Sequence, residues 1–186
     1  MNFSEDVNEA ICNISKDQRE LLSIYKIGSS VENTPILAIN LGIGSKKILI
    51  NATHHAREMI NTILLLDQIQ YILNLYKTKS YIESINIREL LHKVTLVFVP
   101  LVNPDGADLV LNGKYFLSNQ YKNMFYLQRN SFESWKSNIR GVDLNRNYPT
   151  MYPSSDSVTS PAYKSYKGPY YFSEPETYAL KCFILL

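Results

Sequence analysis

Two residues three positions apart, His55 and Glu58, have the types and spacing that could bind a metal ion. They follow an apolar run typical of a buried strand and come just before a predicted helix. On a tight turn there, an imidazole nitrogen and a carboxylate oxygen can point at one cation, and Zn²⁺ accepts both ligand types. Arg57 between them adds a positive charge at the same rim. A lone His-x-x-Glu more often marks a solvated helix start, so the zinc hypothesis needs support from other motifs.

The chain has two other histidines. His54 is an alternative metal ligand, but if one of the neighbours His54 and His55 faces Glu58 the other must point elsewhere. The spacing favours His55 as the metal ligand that pairs with Glu58. His92 precedes a predicted strand and is expected on the surface.

The first elements that must position these residues are strands. Four apolar runs rich in β-branched residues predict buried strands: residues 21–27, 35–41, 47–52 and 94–100. The second and third flank Gly42 and Gly44, so we expect them to pair as a hairpin. The fourth leads to residues 103–106, Asn-Pro-Asp-Gly, which are typical of a turn.

Helices are predicted at residues 5–22 and 58–76, the second from an apolar stripe at helical spacing. Strands that alternate with helices indicate an α/β domain with a mixed, mostly parallel sheet flanked by helices, and ligand sites then lie at the carboxyl ends of strands. Residues 173–176, Ser-Glu-Pro-Glu, match a capping box and predict another helix. That helix would reach the last residue without a cap. We therefore expect residues 1–186 to be the truncated N-terminal portion of one catalytic domain.

Composition restricts the classes of function. With 186 residues, of which 45% are hydrophobic, the chain is long enough for a globular domain and is not a disordered segment. The net charge of +2 comes without long runs of either sign, which argues against nucleic-acid and membrane partners. Two cysteines, Cys12 and Cys182, indicate neither a disulfide framework nor a Cys-based metal site. Because no secretory signal opens the chain, we expect a cytoplasmic location.

Four motifs occur along the chain in an informative order: His55-Ala56-Arg57-Glu58, Asn103-Pro104-Asp105-Gly106, Gly141-Val142-Asp143-Leu144-Asn145-Arg146-Asn147 and Ser173-Glu174-Pro175-Glu176-Thr177. In type and order they closely resemble the zinc carboxypeptidase family, which includes the pancreatic carboxypeptidases. The compact run from Trp135 to Asn147 looks more like bacterial members that cut γ-D-glutamyl to diamino-acid bonds of cell-wall peptides than like digestive enzymes.

The resemblance implies a role for several side chains. His55 and Glu58 would be two of three ligands of Zn²⁺. Asn145 and Arg146 would hold the terminal carboxylate of a peptide substrate, a task for which a planar guanidinium beside an amide is well suited. Asp143 would accept the other N–H of the zinc histidine and so fix its tautomer.

Three arginines have roles that depend on the same resemblance. Arg57 would line the extended substrate cleft. An arginine shortly before the Gly-Val-Asp motif would stabilise the negatively charged oxygen that forms during the reaction. Arg140 is the nearest candidate, although it is offset by one residue, and Arg129 is the weaker alternative. For both, a solvated surface charge is the competing interpretation.

The resemblance also implies residues that this sequence lacks. In the family a second zinc histidine and a general-base glutamate follow the helix of the Ser-Glu-Pro-Glu motif, whereas all three histidines here precede it. We therefore expect zinc-dependent hydrolysis of peptides with a free carboxylate as the family chemistry, but no activity from this chain alone. A separately encoded C-terminal remainder is a candidate partner. The competing hypothesis is a non-catalytic protein that binds peptide carboxylates through Asn145 and Arg146.

Overall fold

The structure, a computed structural model, describes residues 2–14, 20–127, 131–150 and 158–185. The helices are α1 (Phe3–Ile14), α2 (Ile60–Lys77), α3 (Ile87–Lys93), α4 (Pro104–Asn112), α5 (Asn119–Lys122) and α6 (Pro175–Ile184). The strands are β1 (Leu22–Ser29), β2 (Pro35–Leu41), β3 (Lys46–Asn51), β4 (Tyr81–Ile82), β5 (Ile85–Asn86) and β6 (Val94–Val99). Strands β4 and β5 form a short hairpin of their own, and the other four strands form one sheet.

The four-stranded sheet has the order β1-β2-β6-β3. Strands β1 and β2 are antiparallel, β2 and β6 are antiparallel, and β3 and β6 are parallel. The predicted α/β class, with a mixed sheet flanked by helices, is confirmed. Parallel pairing does not predominate among the described strands, however, because β3 with β6 is the only parallel pair there.

The predicted hairpin between residues 35–41 and 47–52 is wrong, because β6 lies between these two segments. The second half of β6 is fully buried, whereas the first three residues of β3 are exposed. The more apolar strand therefore takes the centre of the sheet and β3 takes its edge. The connection passes so close to the start of β6 that a Cβ on Gly44 would lie 2.0 Å from the backbone nitrogen of Val94. Glycine is needed there for this close approach and not for a hairpin turn.

The other periodic segments agree better with their predictions. Helix α2 confirms the helix predicted at residues 58–76, and β1 and β6 confirm the first and last predicted strands. The helix predicted at residues 5–22 corresponds to α1, which ends at Ile14; residues 15–19 lie outside the described part of the chain, and residues 20–21 form a turn. Helix α1 is fixed to α4 by Ser4, whose backbone N–H and hydroxyl both donate to the Asp108 carboxylate.

The structure corrects two helix starts. Residues 103–106 are the beginning of α4 and not an isolated turn, because the side chain of Asn103 accepts a hydrogen bond from the Gly106 N–H (3.1 Å) and caps the helix. Helix α6 is present where the Ser-Glu-Pro-Glu motif predicts a helix, but the capping box does not form. Glu174 occupies the N-cap position without a side-chain cap, and Glu176 is buried in the protein interior.

The hydrophobic core has three parts. Helices α1, α2 and α3 pack on one face of the sheet, and α6 packs on the other. A third cluster, centred on Trp135 and Ile139, lies under the loops that follow α4. Of the helices in the described residues, none has the length and apolarity needed to span a membrane.

The buried carboxyl of Glu176 predicts a pH-dependent stability. Burial, followed by the nearby charge of Asp105, raises the pKa of Glu176 to about 8. Because the fold favours the protonated form, this group stabilises the protein fully below the ordinary carboxyl pKa, and the contribution is lost as the pH rises through about 8. Glu176→Gln keeps the shape and cannot ionise. Between about pH 5 and about pH 9, the melting temperature of the Glu176→Gln variant should therefore fall less than that of the unaltered chain.

Thermal denaturation at both pH values measures this effect. Glu89→Gln is the matched control, since the Glu89 side chain is 68% exposed and its substitution should leave the pH dependence unchanged. Identical pH dependence in the Glu176→Gln variant and the unaltered chain would contradict the role assigned to this carboxyl.

Candidate metal centre and substrate cleft

The loop that leaves edge strand β3 carries the His-x-x-Glu motif and is held by its backbone. The Ala56 N–H donates to the carbonyl of Lys136 (3.0 Å), and the Arg57 N–H donates to the carbonyl of Trp135 (3.1 Å). Since Trp135 is fully buried, these bonds attach the motif to a rigid part of the core. They also bring the motif next to the segment that precedes the Gly-Val-Asp sequence.

Thr53 turns the chain sharply just before the motif. Its φ angle is +51°, a left-handed conformation that β-branched residues rarely adopt and that costs on the order of 1–3 kcal/mol. The Thr53 hydroxyl lies 2.7 Å from the hydroxyl of Thr62 and donates to the carbonyl of Glu58 (3.1 Å). Thr62, which is fully buried, donates in turn to the carbonyl of Pro100 (2.6 Å). The start of α2 and the end of β6 thus hold a strained residue where the chain turns toward His55.

Both ring nitrogens of His55 have carboxylate neighbours. Nδ1 lies 3.0 Å from Glu58 Oε1, and Nε2 lies 3.3 Å from Asp143 Oδ1. The contact with Asp143, which outweighs partial burial, raises the pKa of His55. Burial alone would raise the pKa of Asp143, but its contacts with His55, with the Ser165 N–H and with Arg146 together hold that pKa below the usual value. The imidazole is therefore oriented by one carboxylate on each side.

The other two histidines have different surroundings. His54 Nε2 is 2.9 Å from the hydroxyl of Tyr148, and burial, followed by the charge of His55, lowers the pKa of His54 to about 4. His54 also lines one of the cavities that contain His55 and Glu58. His92 is exposed in the last turn of α3, as expected.

The residues expected to bind a substrate carboxylate lie beside the His55–Glu58 pair. Asn145 and Arg146 belong to a short 3-10 turn, Leu144–Arg146, directly after Asp143. Arg146 Nε lies 3.6 Å from Asp143 Oδ2. A cavity of about 350 Å³ is lined by His55, Arg57, Asn145 and Arg146 together, and a second cavity of about 500 Å³ shares His55 and Asn145 and adds Glu58. The structure thus brings the two predicted groups to one cleft.

Arg140 lies close to the start of α6. Its Nη1 lies 3.7 Å from Glu174 Oε2, at the start of α6, and the residue lines neither of the two cavities that contain His55. Arg129 lies outside the described residues. Two lysines also line the 350 Å³ cavity: Lys136, whose Nζ is 3.8 Å from Glu58 Oε1, and Lys164. The residues alone did not single out Lys136, because its direction depends on how the neighbouring Trp135 is buried.

Asn103 connects three parts of the site and was not predicted to do so. Besides capping α4, its fully buried side chain donates from Nδ2 to the carbonyls of His54 (3.0 Å) and Ser137 (3.2 Å). Asn103→Ala would leave the Ser137 carbonyl, which is buried, the His54 carbonyl, which is partly buried, and the Gly106 N–H without these partners. We expect the free energy of unfolding to fall by about 2 kcal/mol or more. Urea denaturation measures this loss.

A matched control for Asn103→Ala is Asn86→Ala. Asn86 caps α3 by accepting from the Arg88 and Glu89 N–H groups, and both of these bonds lie at the start of α3 itself. Loss of a cap alone should cost about 1 kcal/mol. Equal losses in the two variants would mean that Asn103 acts only as a cap.

The chemistry of the donor set fits a zinc ion in part. An imidazole nitrogen and a carboxylate oxygen are usual zinc ligands, and the carboxylate on the far side of His55 is the partner that orients such a histidine. The residues described by the structure contain no group of three or more His, Cys, Asp or Glu side chains placed to hold a metal ion. His55 and Glu58 could therefore supply two ligands, and the remaining positions would need water, substrate or residues from outside this sequence.

Comparison with known proteins gives a family match over most of the chain. The family described as zinc carboxypeptidase matches residues 7–185. The chain is similar to the uncharacterized protein YqgT of Bacillus subtilis, at 33% identity over 180 residues that cover 90% of this chain and 48% of that protein. It is also similar to gamma-D-glutamyl-L-diamino acid endopeptidase 1 of Lysinibacillus sphaericus, at 34% identity over 158 residues that cover 83% of this chain and 40% of the endopeptidase.

Among solved structures, the fold is similar to that of bovine thrombin-activatable fibrinolysis inhibitor in complex with tick carboxypeptidase inhibitor. The TM-score is 0.68 at 19% identity, and the match covers 98% of this chain and 55% of the other. This structural similarity supports the assignment of the same fold to this chain. The chain spans less than half the length of each of these two curated relatives.

Proposed function

Because the chain belongs to the zinc carboxypeptidase family, we propose that it carries part of the active site of a zinc-dependent peptidase. In this proposal His55 and Glu58 bind Zn²⁺, Asp143 orients His55, and Asn145 and Arg146 bind the free carboxylate of a peptide. Arg57 lines the outer part of the same cleft. The observation that carries the proposal is the position of His55, with Glu58 at one ring nitrogen and Asp143 at the other.

When bound, zinc would polarise the carbonyl of the bond to be cut and lower the pKa of a water molecule. The residues of this chain would position the metal ligand His55 and the carboxylate of the substrate. With zinc at Nδ1 and Glu58, Asp143 would keep the proton of His55 on Nε2, the nitrogen that lies 3.3 Å from its carboxylate. Arg146 offers two parallel N–H groups to a carboxylate, and the amide of Asn145 adds directional hydrogen bonds. A third protein ligand and a general base would come from outside this sequence.

We propose that the missing groups belong to a polypeptide segment, continuous with this chain or separately encoded, that packs against β3. The outer side of β3 has no partner among the described strands. Beside it the sheet and α6 form a groove that is mostly apolar and is lined in part by Tyr25, Ile27, Leu49, Val97, Phe183 and Ile184. The two curated relatives are each more than twice as long as the segment they share with this chain, which is the basis for choosing this occupant.

For the substrate we propose a cell-wall peptide with a γ-D-glutamyl to diamino-acid bond. Two things support this choice: the Trp135-to-Asn147 run and the 34% identity to an endopeptidase named for that bond. An ordinary peptide with a C-terminal carboxylate is the second substrate class, supported by similarity to mast cell carboxypeptidase A of mouse at 32% identity over 168 residues.

The experiment is to measure zinc content and peptidase turnover of the purified chain, alone and mixed with the C-terminal part of a full-length relative. Both substrate classes are supplied. Turnover that requires the added part and is lost in Glu58→Gln supports the proposal. Zinc binding that is unaffected by both His55→Ala and Glu58→Gln would refute it. Peptide binding that depends on Arg146, without zinc or turnover in any mixture, would favour the non-catalytic carboxylate-binding alternative.

A further inference from the structure

We propose that Arg57 and Lys164 form a second anion-binding position in the 350 Å³ cavity, and that it binds the free α-carboxylate of a γ-linked glutamyl residue. This inference rests on the proposed function, because it names the substrate feature that the same cleft would recognise. Both side chains line the cavity together with His55, Asn145 and Arg146. The cleft would then offer cations to two carboxylates of one substrate.

The cavity carries an excess of positive charge. Among the described residues that line it, Asp143 is the only acidic one. Its cationic lining residues are Arg57, Lys136, Arg146 and Lys164. Arg146 Nε lies 3.6 Å from Asp143, and Lys136 Nζ lies 3.8 Å from Glu58. In the part of the chain that the structure describes, neither Arg57 nor Lys164 forms an ion pair, so these two cations can interact with an anion from outside the chain.

The backbone at Lys164 is fixed through both of its neighbours. The carbonyl of Tyr163 accepts a hydrogen bond from the Lys136 N–H (2.9 Å). The Ser165 N–H donates to Asp143 Oδ2 (2.9 Å). Ser165 is buried and has a φ angle of +67°, a left-handed conformation that is uncommon outside glycine. Lys164 is therefore held next to the acid that orients the metal histidine.

The two side chains combine different kinds of donor. Arg57 starts from a fixed backbone, because its N–H donates to the carbonyl of Trp135 (3.1 Å), and its side chain is exposed. The ammonium of Lys164, which is also exposed, lies 5.5 Å from the centroid of the Tyr163 ring, and that ring lines the same cavity. A guanidinium gives a carboxylate two parallel N–H groups, and an ammonium on a flexible stem adds a compact charge.

The substrate proposed above, a peptide with a γ-D-glutamyl to diamino-acid bond, carries an anion suited to this position. When glutamate is linked through its γ-carboxyl group, its α-carboxylate stays free on the residue that supplies the carbonyl of the bond to be cut. The carboxylate on the other side of that bond would bind to Asn145 and Arg146. An ordinary peptide has a neutral amide where the α-carboxylate would be. Arg57 and Lys164 therefore favour the γ-linked substrate over an ordinary peptide.

The first test measures binding of two matched peptides to the purified chain by calorimetry. One peptide contains a γ-D-glutamyl to diamino-acid bond with a free α-carboxylate, and in the other this carboxylate is replaced by an amide. The unaltered chain should bind the free acid about fivefold more tightly or better, because charged hydrogen bonds are lost in the amide. Lys164→Met should remove most of this preference and leave the affinity for the amide unchanged.

Three further variants sharpen this test. Lys164→Glu should reverse the preference, and Lys164→Arg should keep it. Lys167→Met is the matched control, since Lys167 is an exposed lysine of the same segment whose ammonium lies 5.8 Å from the Tyr171 ring centroid and does not line the cavity. The absence of any preference for the free acid in the unaltered chain overturns the inference. A preference that Lys164→Met retains in full also overturns it.

The second test compares turnover of the same two peptides by the complex of this chain with the completing C-terminal part. In Lys164→Met the ratio of kcat/KM for the free acid to that for the amide should fall about fivefold or more, through KM and with kcat nearly unchanged. A residue that acts on the reacting carbonyl would instead lower kcat for both peptides. An equal loss of kcat for both peptides would therefore contradict a role in substrate selection.

Failure of this inference can be told from failure of the proposed function. If the unaltered chain and His55→Ala bind zinc equally, the proposed metal site is refuted whatever Lys164 does. If zinc binding depends on His55 but the free acid and the amide bind equally, the metal site stands and the second anion-binding position is refuted.

Discussion

His55→Ala is expected to lower the affinity of the chain for Zn²⁺ by more than about 100-fold, which exceeds the usual cost of losing an outer partner of a metal ligand. His55 is the imidazole whose Nδ1 faces Glu58 at 3.0 Å, so in the proposed site its removal would leave Glu58 without its partner ligand. Competition with a fluorescent zinc chelator at fixed pH measures the ratio of affinities. Glu58→Gln should give a loss of the same order, because an amide oxygen is a much weaker zinc ligand than a carboxylate.

The chain offers two matched histidine controls. His92→Ala removes an exposed histidine of α3 and should leave zinc affinity unchanged. His54→Ala removes the neighbour of His55, whose ring faces the Tyr148 hydroxyl, and should have a smaller effect than His55→Ala. A larger loss in His54→Ala than in His55→Ala would contradict the site and would make His54 the metal ligand.

Trp135→Ala is expected to lower the free energy of unfolding by about 3–5 kcal/mol, the usual cost of removing a large buried aromatic side chain. The Trp135 ring is fully buried, packs edge-to-face on Phe132 with centroids 5.7 Å apart, and donates from Nε1 to the carbonyl of Asn138 (3.3 Å). Its backbone carbonyl also accepts from the Arg57 N–H. Loosening this residue should therefore weaken zinc binding as well as the fold.

Urea denaturation and zinc titration of the same samples test this coupling. Trp135→Phe keeps an aromatic ring in the core and should lose less stability than Trp135→Ala. Tyr115→Ala removes an aromatic side chain that is 79% exposed and should change the free energy of unfolding by no more than about 0.5 kcal/mol. A Trp135→Ala variant as stable as Tyr115→Ala would mean that the hydrophobic cluster around Trp135 does not support the loop that carries His55 and Glu58.

Local patterns were enough to predict the elements that carry the site. Helix α2 and strands β1 and β6 were predicted from periodicity and apolar runs, because these signals arise from residues close together in the sequence. The His55–Glu58 spacing has the same local origin, and the order of the four motifs was enough to indicate the family.

The order of the strands and the contacts of Asn103 depend on segments that are far apart in the sequence, so sequence patterns could not predict them. Strand β6 separates β2 from β3 because the strand buried on both faces takes the centre of the sheet, and no neighbouring residue encodes that order. Asn103 caps α4 and at the same time holds the carbonyls of His54 and Ser137, which only a folded chain brings to one place.

The directions of the basic side chains were decided in the same way. The sequence by itself determined that cationic residues precede the Gly-Val-Asp motif and that Arg146 follows it. Only the tertiary structure decided which of them enters the cleft. Glu174 at the start of α6 holds Arg140 outside it, and the buried Trp135 fixes the backbone from which Lys136 extends into it. Side-chain direction depends on packing between segments far apart in the chain, and the spacing of residues along the sequence carries no record of that packing.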